Sequence, residues 1–268
     1  MTKKNSNITI HTYQSILIIF LIVLMIIFEF SDIRLFENAK DSTMVSNSIL
    51  RFLGGIVLVI IIIGSGYSWI FRFKNVWKSF LIIIPALIIS INNFPIIAFF
   101  DGRATLEEPV YRIYLFLMEC LSIGFFEEII FRGIILVFLL KKLTNQKNGI
   151  FLSIFISSLL FGLIHIFNLY SGASIGDTFL QIGYSFLVGM MWSVMFLKTG
   201  NLCLTMLLHA TFNFFGQVMF YLGNVDGRYD FYTIWITIIL ALGTAIYSML
   251  LYKQLGNQPL IKSSIKTN

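Results

Sequence analysis

The chain has 268 residues, of which 57% are hydrophobic and only 12% are charged, and its mean hydropathy is +0.87. Because a soluble domain is about 25% charged, this composition excludes a soluble protein and indicates an integral membrane protein. The formal net charge of +6 is typical of basic cytoplasmic loops. Since no long Lys/Arg-rich region accompanies this charge, we predict that the protein lies in a lipid bilayer and does not bind nucleic acid.

Apolar segments long enough to cross a bilayer, roughly 17–25 residues each, follow one another along the chain. They predict an all-α, polytopic membrane bundle of about eight transmembrane helices, because the apolar runs do not alternate as β-barrel strands do. The predicted spans are 14–31, 53–71, 79–100, 112–140, 149–167, 178–197, 202–222 and 232–252. No repeat or linker separates them, so we expect residues 1–268 to form a single integral membrane domain.

Lys and Arg residues are distributed unequally over the predicted loops. With the N-terminus inside, twelve of them fall in inner segments and six in outer ones, among them Arg51 and Arg112. Cytoplasmic loops carry the excess of Lys and Arg in membrane proteins. We therefore predict a multi-pass protein of the cell membrane with both termini in the cytoplasm.

Three short motifs place ionisable and amide side chains inside predicted spans, where such groups are costly unless they have a partner or a function. The motifs are GFFEEIIFRG at 124–133, FGLIH at 161–165 and HATFN at 209–213. Of the three histidines, only His11 lies elsewhere, in the polar N-terminal segment, where we expect it to be solvated. The motifs therefore hold the candidate functional residues.

Helical spacing suggests how the first motif is used. Glu128 and Arg132 are four residues apart, so on a helix they share a face and are expected to form an ion pair. Glu127 points about 100° away at 3.6 residues per turn, and it is expected to face another partner. One glutamate would then be structural and the other functional.

The residues of the three motifs are expected to lie at similar depths in the membrane. With a rise of about 1.5 Å per residue, Glu127, His165, His209 and Asn213 can lie in one buried polar layer. A carboxylate there can take a proton from water as a general base, and His or Asn side chains can stabilise an oxyanion. Two histidines and a carboxylate also match a catalytic zinc site, so both metal-dependent and metal-free hydrolysis remain open.

Two other polar features are expected to have structural roles. Glu119 is expected to lie near the outer end of its span or to pair with Arg112. Asn92 and Asn93, with Pro95 behind them, are expected to mark a kink in the third span, which either lines the cavity or is a packing break.

The three motifs together resemble those of the CAAX protease and bacteriocin-processing family, also called the Abi family. EEIIFR at 127–132 is similar to its EExxxR motif, FGLIH to FxxxH and HATFN to HxxxN/D, and Gly133 fits the FRG continuation. They occur in the family's order on three predicted helices, and the matched catalytic core is about residues 112–222.

The resemblance implies an intramembrane endopeptidase similar to the type II CAAX prenyl endopeptidases. By position, Glu127 would activate a water molecule that His165 helps to hold. His209 and Asn213 would form the oxyanion site. If the enzyme is metal-dependent, zinc would be bound by Glu127, His165 and His209; no other cofactor is implied.

The resemblance also bears on the supporting residues and the substrate. Glu128 and Arg132 would support the site through their ion pair. The substrate would be a peptide or membrane protein, in bacteriocin immunity or peptide maturation, or in CAAX-type processing of a prenylated tail. Of these, a substrate without a prenyl group is favoured.

Two interpretations from other classes remain open. One is a proton-coupled secondary transporter, in which Glu and His within the spans form a proton relay; a common transporter would show two matched halves, and no such repeat is seen. The other is a non-catalytic bacteriocin immunity protein. Replacing Glu127 by Gln would abolish proteolysis but leave such a binding function largely intact.

Overall fold

The described part of the chain is an all-α bundle, which confirms the predicted fold class. The computed structural model describes residues 33–73, 75–143, 145–226 and 230–255, and a few positions between 20 and 27. The prediction for His11 and most of the first predicted span, 14–31, therefore lie outside the described residues.

The helical elements follow one another with short connections. The α-helices are α1 Ala39–Gly64, α2 Val76–Asn92, α3 Ile96–Phe100, α4 Tyr111–Glu128, α5 Val137–Leu143, α6 Gly149–Leu163, α7 Ile175–Thr199, α8 Leu202–Tyr221 and α9 Phe231–Leu255. A π-helix at Ile129–Leu136 joins α4 to α5, and 3-10 turns occupy Ser68–Phe71 and Ile164–Leu169. Two short strands, β1 Ala104–Leu106 and β2 Gly223–Val225, pair with each other.

Local sequence explains where several of these helices begin. In each case a side-chain oxygen accepts a hydrogen bond from the backbone N–H three residues later, as an N-cap residue does. The capping residues are Asn38, Asn75, Ser174 and Asn201. Helix α7 ends at Thr199 and is followed by Gly200, whose φ of 69° is left-handed and suits glycine.

Five described helices are long and apolar enough to cross a membrane: α1, α6 with its 3-10 extension, α7, α8 and α9. Helix α2 is apolar but shorter. The segment from α4 through the π-helix to α5 is helical throughout and carries the charged first motif. These elements define a multi-pass membrane protein.

Two predicted spans have different limits in the structure. The span predicted at 53–71 is wrong in its bounds, because α1 starts at its cap after Asn38 and includes a polar stretch that hydropathy assigned to a loop. Arg51 is therefore a helix residue and not a loop residue. The span predicted at 79–100 is broken between α2 and α3, where Pro95 has no backbone N–H to continue a helix.

Helix α4 lies at the centre of the bundle, between α1 and α8, while α6 packs on α7 and α9 lies against α7 and α2. Gly124 allows the close contact between α4 and α8. A Cβ atom there would lie 2.7 Å from the carbonyl oxygen of Met206 and 3.0 Å from the nitrogen of Ala210. The helix that carries the third motif can thus approach the helix that carries the glutamates without an intervening side chain.

One end of the bundle is closed by strands and ion pairs. Strand β1 runs antiparallel to β2. Arg103 pairs with Asp101 at 2.7 Å and with Asp230 at 3.2 Å, and its hydrogen bond lowers the pKa of Asp101 below the ordinary value. These contacts join loops that were all predicted to be outer.

Segments predicted to be inner meet at the opposite end. Lys141 contacts the Tyr67 hydroxyl, and Lys198 donates a hydrogen bond to Gln254 at 2.7 Å. The grouping of loops agrees with the alternating spans, whereas the cytoplasmic position of the termini stays a prediction.

Candidate active site

The two adjacent glutamates occupy the last turn of α4, directly before the π-helix. Glu128 accepts a hydrogen bond from Arg132 Nη1 at 2.6 Å, and both side chains are completely buried. Arg132 also donates to the backbone oxygen of Gly189 on α7, at 3.2 Å. The expected Glu128–Arg132 contact is therefore present, and it connects α4 to α7.

The π-helix itself is stabilised from a neighbouring helix. Its hydrogen bonds run from residue i to i+5, an arrangement that is rare and often found at functional sites. The hydroxyl of Ser157, on α6, donates to the backbone oxygen of Phe131 at 2.8 Å. The Phe131 carbonyl thus has a hydrogen-bond partner, which a backbone group needs in an interior without water.

Aromatic rings from two other helices enclose the Arg132 guanidinium. Its central carbon lies 4.4 Å from the centre of the Phe161 ring and 5.5 Å from that of Trp192. A cation over an aromatic face is attracted by the ring quadrupole. Phe161, the first residue of the second motif, therefore packs against the charged pair.

His209 lies between the two glutamates. Its Nδ1 is 3.0 Å from Glu128 Oε1, and its Nε2 is 3.8 Å from Glu127 Oε2. The Trp192 ring packs on the imidazole with centroids 4.6 Å apart. Because an ionised carboxylate only accepts hydrogen bonds, we assign Nδ1 as the donor to Glu128, and Nε2 faces Glu127.

His165 lies in the 3-10 turn after α6, and one of its polar contacts is with a residue outside the three motifs. Its Nδ1 is 3.4 Å from the Gln181 amide nitrogen, and Asn168 donates to Gln181 Oε1 at 2.8 Å. Gln181 was not singled out from the sequence. As an uncharged polar residue within a predicted span, it could have been noticed by the criterion that selected Asn213.

A single cavity of about 1340 Å³ brings the four predicted catalytic residues together. Glu127, His165, His209 and Asn213 all belong to its lining. Glu128 and Arg132, which are completely buried, lie outside that lining. The supporting pair is therefore separated from the cavity by His209, to which Glu128 is bonded.

Glu119 contributes a further carboxylate to the cavity lining. It contacts Arg51 on α1, with 3.7 Å between Arg51 Nη1 and Glu119 Oε1. The expected pairing with Arg112 is wrong, because that guanidinium is held by Asp41 and Glu108 near the end of the bundle. Arg51, placed inside α1 by its early start, takes that role.

The predicted zinc ligands do not form a compact set in this structure. Within the described ranges, no group of three His, Cys, Asp or Glu side chains could hold a metal ion. His209 has Glu128 at its Nδ1, and His165 has Gln181 at its Nδ1. Zinc binding by Glu127, His165 and His209 stays a prediction, and no chemical step is derived through a metal.

A buried carboxylate, imidazole and guanidinium inside a helical membrane bundle define the class of protein: a multi-pass membrane protein with a cluster of ionisable side chains in its interior. The family model of the type II CAAX prenyl endopeptidase Rce1-like proteins matches residues 108–215. This region contains all three motifs, so the match confirms the family resemblance and supports a CAAX-type intramembrane protease in general. No curated protein and no solved structure matches the chain.

Proposed function

We propose that this protein is an endopeptidase that hydrolyses a peptide bond within the membrane with water activated at Glu127. One observation carries the proposal: His209 contacts Glu128 through Nδ1 and faces Glu127 through Nε2, at the wall of a cavity. Such a carboxylate–imidazole pair, oriented by a buried second carboxylate, is a usual arrangement for acid–base catalysis.

Each proton in the proposed reaction has a place to go. Glu127 takes a proton from water while the water oxygen forms a bond to the substrate carbonyl carbon. His209 enters the reaction with a proton on each ring nitrogen and keeps both, so that its Nε2–H and the Asn213 amide donate hydrogen bonds to the resulting oxyanion. Collapse of the intermediate breaks the C–N bond, and the proton held by Glu127 passes to the leaving nitrogen.

The remaining polar residues have supporting roles in this proposal. Glu128 fixes the orientation of His209 through Nδ1, and Arg132 balances the charge of Glu128. His165, linked to Gln181, holds the attacking water. A proton-transport pathway is less well supported, because Glu127, Glu128, Arg132 and His209 form one cluster.

The finer biological assignment rests on the family resemblance. We infer that the substrate is a peptide or membrane protein, processed in bacteriocin immunity or peptide maturation. A prenylated CAAX tail is the alternative substrate. We further propose that both termini lie in the cytoplasm, on the basis of the Lys and Arg distribution.

The test compares cells with wild-type protein and cells with Glu127→Gln at matched expression. Mass spectrometry of membranes and medium should reveal peptide termini that depend on the wild type. Their abundance should fall by about 100-fold or more in the variant, since a general base contributes about 10²–10⁴ to the rate. The variant keeps the size and shape of the side chain, so its fold should be retained.

Circular dichroism and size-exclusion chromatography of both purified proteins provide the control for folding. Identical termini in the two samples, with Glu127→Gln folded, would contradict the proposal. A proton-flux assay in liposomes would then test transport, and a toxin-survival assay would test non-catalytic immunity.

Metal removal distinguishes metal-free hydrolysis from zinc-dependent hydrolysis. We expect prolonged chelation, verified by elemental analysis, to leave the hydrolysis rate of the purified protein unchanged, because the donor side chains as arranged do not form a metal site. Loss of activity that zinc restores would instead establish a site formed by Glu127, His165 and His209.

A further inference from the structure

Helix α8 presents a row of polar side chains to the cavity beyond the catalytic layer. His209, Asn213, Gln217 and Tyr221 all line the cavity and recur every four residues. The first two belong to the proposed chemistry. Gln217 and Tyr221 lie outside the third motif, and Gln217 follows the region matched by the family model, residues 108–215.

Asn93, which follows the last residue of α2, lies beside this row and also lines the cavity. Its amide nitrogen donates to the backbone oxygen of Phe212 at 3.1 Å, and its side chain fits against Gly216, where a Cβ atom would lie 2.1 Å from that nitrogen. Asn93 therefore stands next to the Gln217 turn of α8. We call Asn93, Asn213 and Gln217 the carboxamide wall.

We propose that the carboxamide wall binds the main chain of an extended substrate peptide on one side of the scissile bond. This inference rests on the proposed peptidase function and names the part of the substrate that is recognised. A carboxamide offers both a donor and an acceptor, and within a membrane an unwound peptide needs partners for both its N–H and C=O groups.

The spacing of the wall matches such a ligand. Residues four apart on α8 are separated by about 6 Å along the helix axis at about 1.5 Å per residue. Groups on the same side of an extended chain repeat every two residues, about 6.6–6.8 Å at 3.3–3.4 Å per residue. Asn213 and Gln217 can therefore contact main-chain groups that lie two residues apart in one peptide.

The charges around the cavity favour a neutral peptide segment over an anion. In the described lining, the charged side chains are Glu119, Glu127 and, at the far end of α9, Lys253. Lys253 belongs to the end of the bundle opposite to β2, which directly follows α8 beyond Tyr221. Lys40 lies one turn further on, 5.0 Å from the centre of the Tyr221 ring, but it is paired with Glu108 at 2.8 Å. A free terminal carboxylate or a lipid phosphate beside Gln217 would thus meet no unpaired cation among the described lining residues.

The experiment uses the full-length Glu127→Gln protein in detergent micelles and fluorescence anisotropy with three blocked apolar peptides. The first is unmodified, the second has the same composition in scrambled order, and the third is methylated at alternate main-chain nitrogens. We expect the first two to bind alike. The methylated peptide should bind about 5- to 20-fold more weakly, through lost hydrogen bonds.

The substitution Gln217→Leu, added to the Glu127→Gln protein, tests whether the carboxamide wall is the binding site. It should weaken binding of the unmodified peptide by about 5- to 20-fold and leave binding of the methylated peptide unchanged. Gln254→Leu makes the same chemical change at an exposed position near Lys198 and should have no effect.

Several results would overturn the inference. Unchanged binding after Gln217→Leu, no peptide binding at all, or displacement of the peptide by an acyl chain with no dependence on Gln217 would each do so. Failure of the proposed function looks different: the wild type would cut no peptide, although binding still depended on Gln217.

Discussion

Replacing His209 by glutamine is expected to slow peptide hydrolysis by about 100- to 1000-fold, the range typical of a lost oxyanion donor. Glutamine can still donate a hydrogen bond to Glu128 but offers no second donor in place of Nε2, which lies 3.8 Å from Glu127, so the oxyanion loses a hydrogen bond. The rate should be measured with a peptide identified by the mapping of termini.

Combining the two substitutions gives a stricter test of the same pair. Because residues that act as a unit lose activity non-additively, Glu127→Gln with His209→Gln should be about as slow as the slower single variant. Strictly multiplicative losses would show that the two groups act independently. His11→Gln, in the N-terminal segment outside the described residues, is the matched histidine control and should retain wild-type activity.

The second large effect concerns stability. Arg132→Met should destabilise the protein by about 3–5 kcal/mol, the usual cost of breaking a buried ion pair and leaving one charge uncompensated. Glu128 is completely buried and would lose its 2.6 Å contact with the guanidinium. Unfolding of the purified protein in detergent, followed by circular dichroism, measures the change.

A double variant distinguishes a charge effect from lost packing. Arg132→Met with Glu128→Gln removes both charges, and it should be more stable than Arg132→Met alone because no buried carboxylate lacks its partner. If the single and double variants unfold alike, the loss comes from the contacts of Arg132 with Phe161 and Trp192. A melting curve like that of the wild type for Arg132→Met would contradict the prediction altogether.

The sequence predicts those features that depend on near neighbours in the chain. Apolar runs indicate helices because a membrane leaves backbone groups no other partner, and most limits of α6 to α9 lie within a few residues of the predicted spans. The contact between Glu128 and Arg132 follows from their spacing by four residues. The four predicted catalytic residues do line one cavity, while their catalytic roles stay predictions.

Features that depend on distant partners could not be predicted in this way. Glu119 contacts Arg51, on a helix whose polar first half hydropathy assigned to a loop. Gln181 meets His165 across the turn between α6 and α7. His209 contacts both glutamates only because Gly124 lets α8 approach α4. None of these three contacts can be predicted from the spacing of residues within one helix.

The π-helix after Glu128 has a consequence for how the site assembles. An isolated apolar helix in a membrane satisfies its backbone best with ordinary α-helical bonds, whereas here the Ser157 hydroxyl of α6 caps the Phe131 carbonyl. The widened turn and the docking of α6 therefore stabilise each other. We expect the segment to insert as a regular helix and to acquire its final register only when the bundle closes, so that a partly assembled chain in the membrane would be inert.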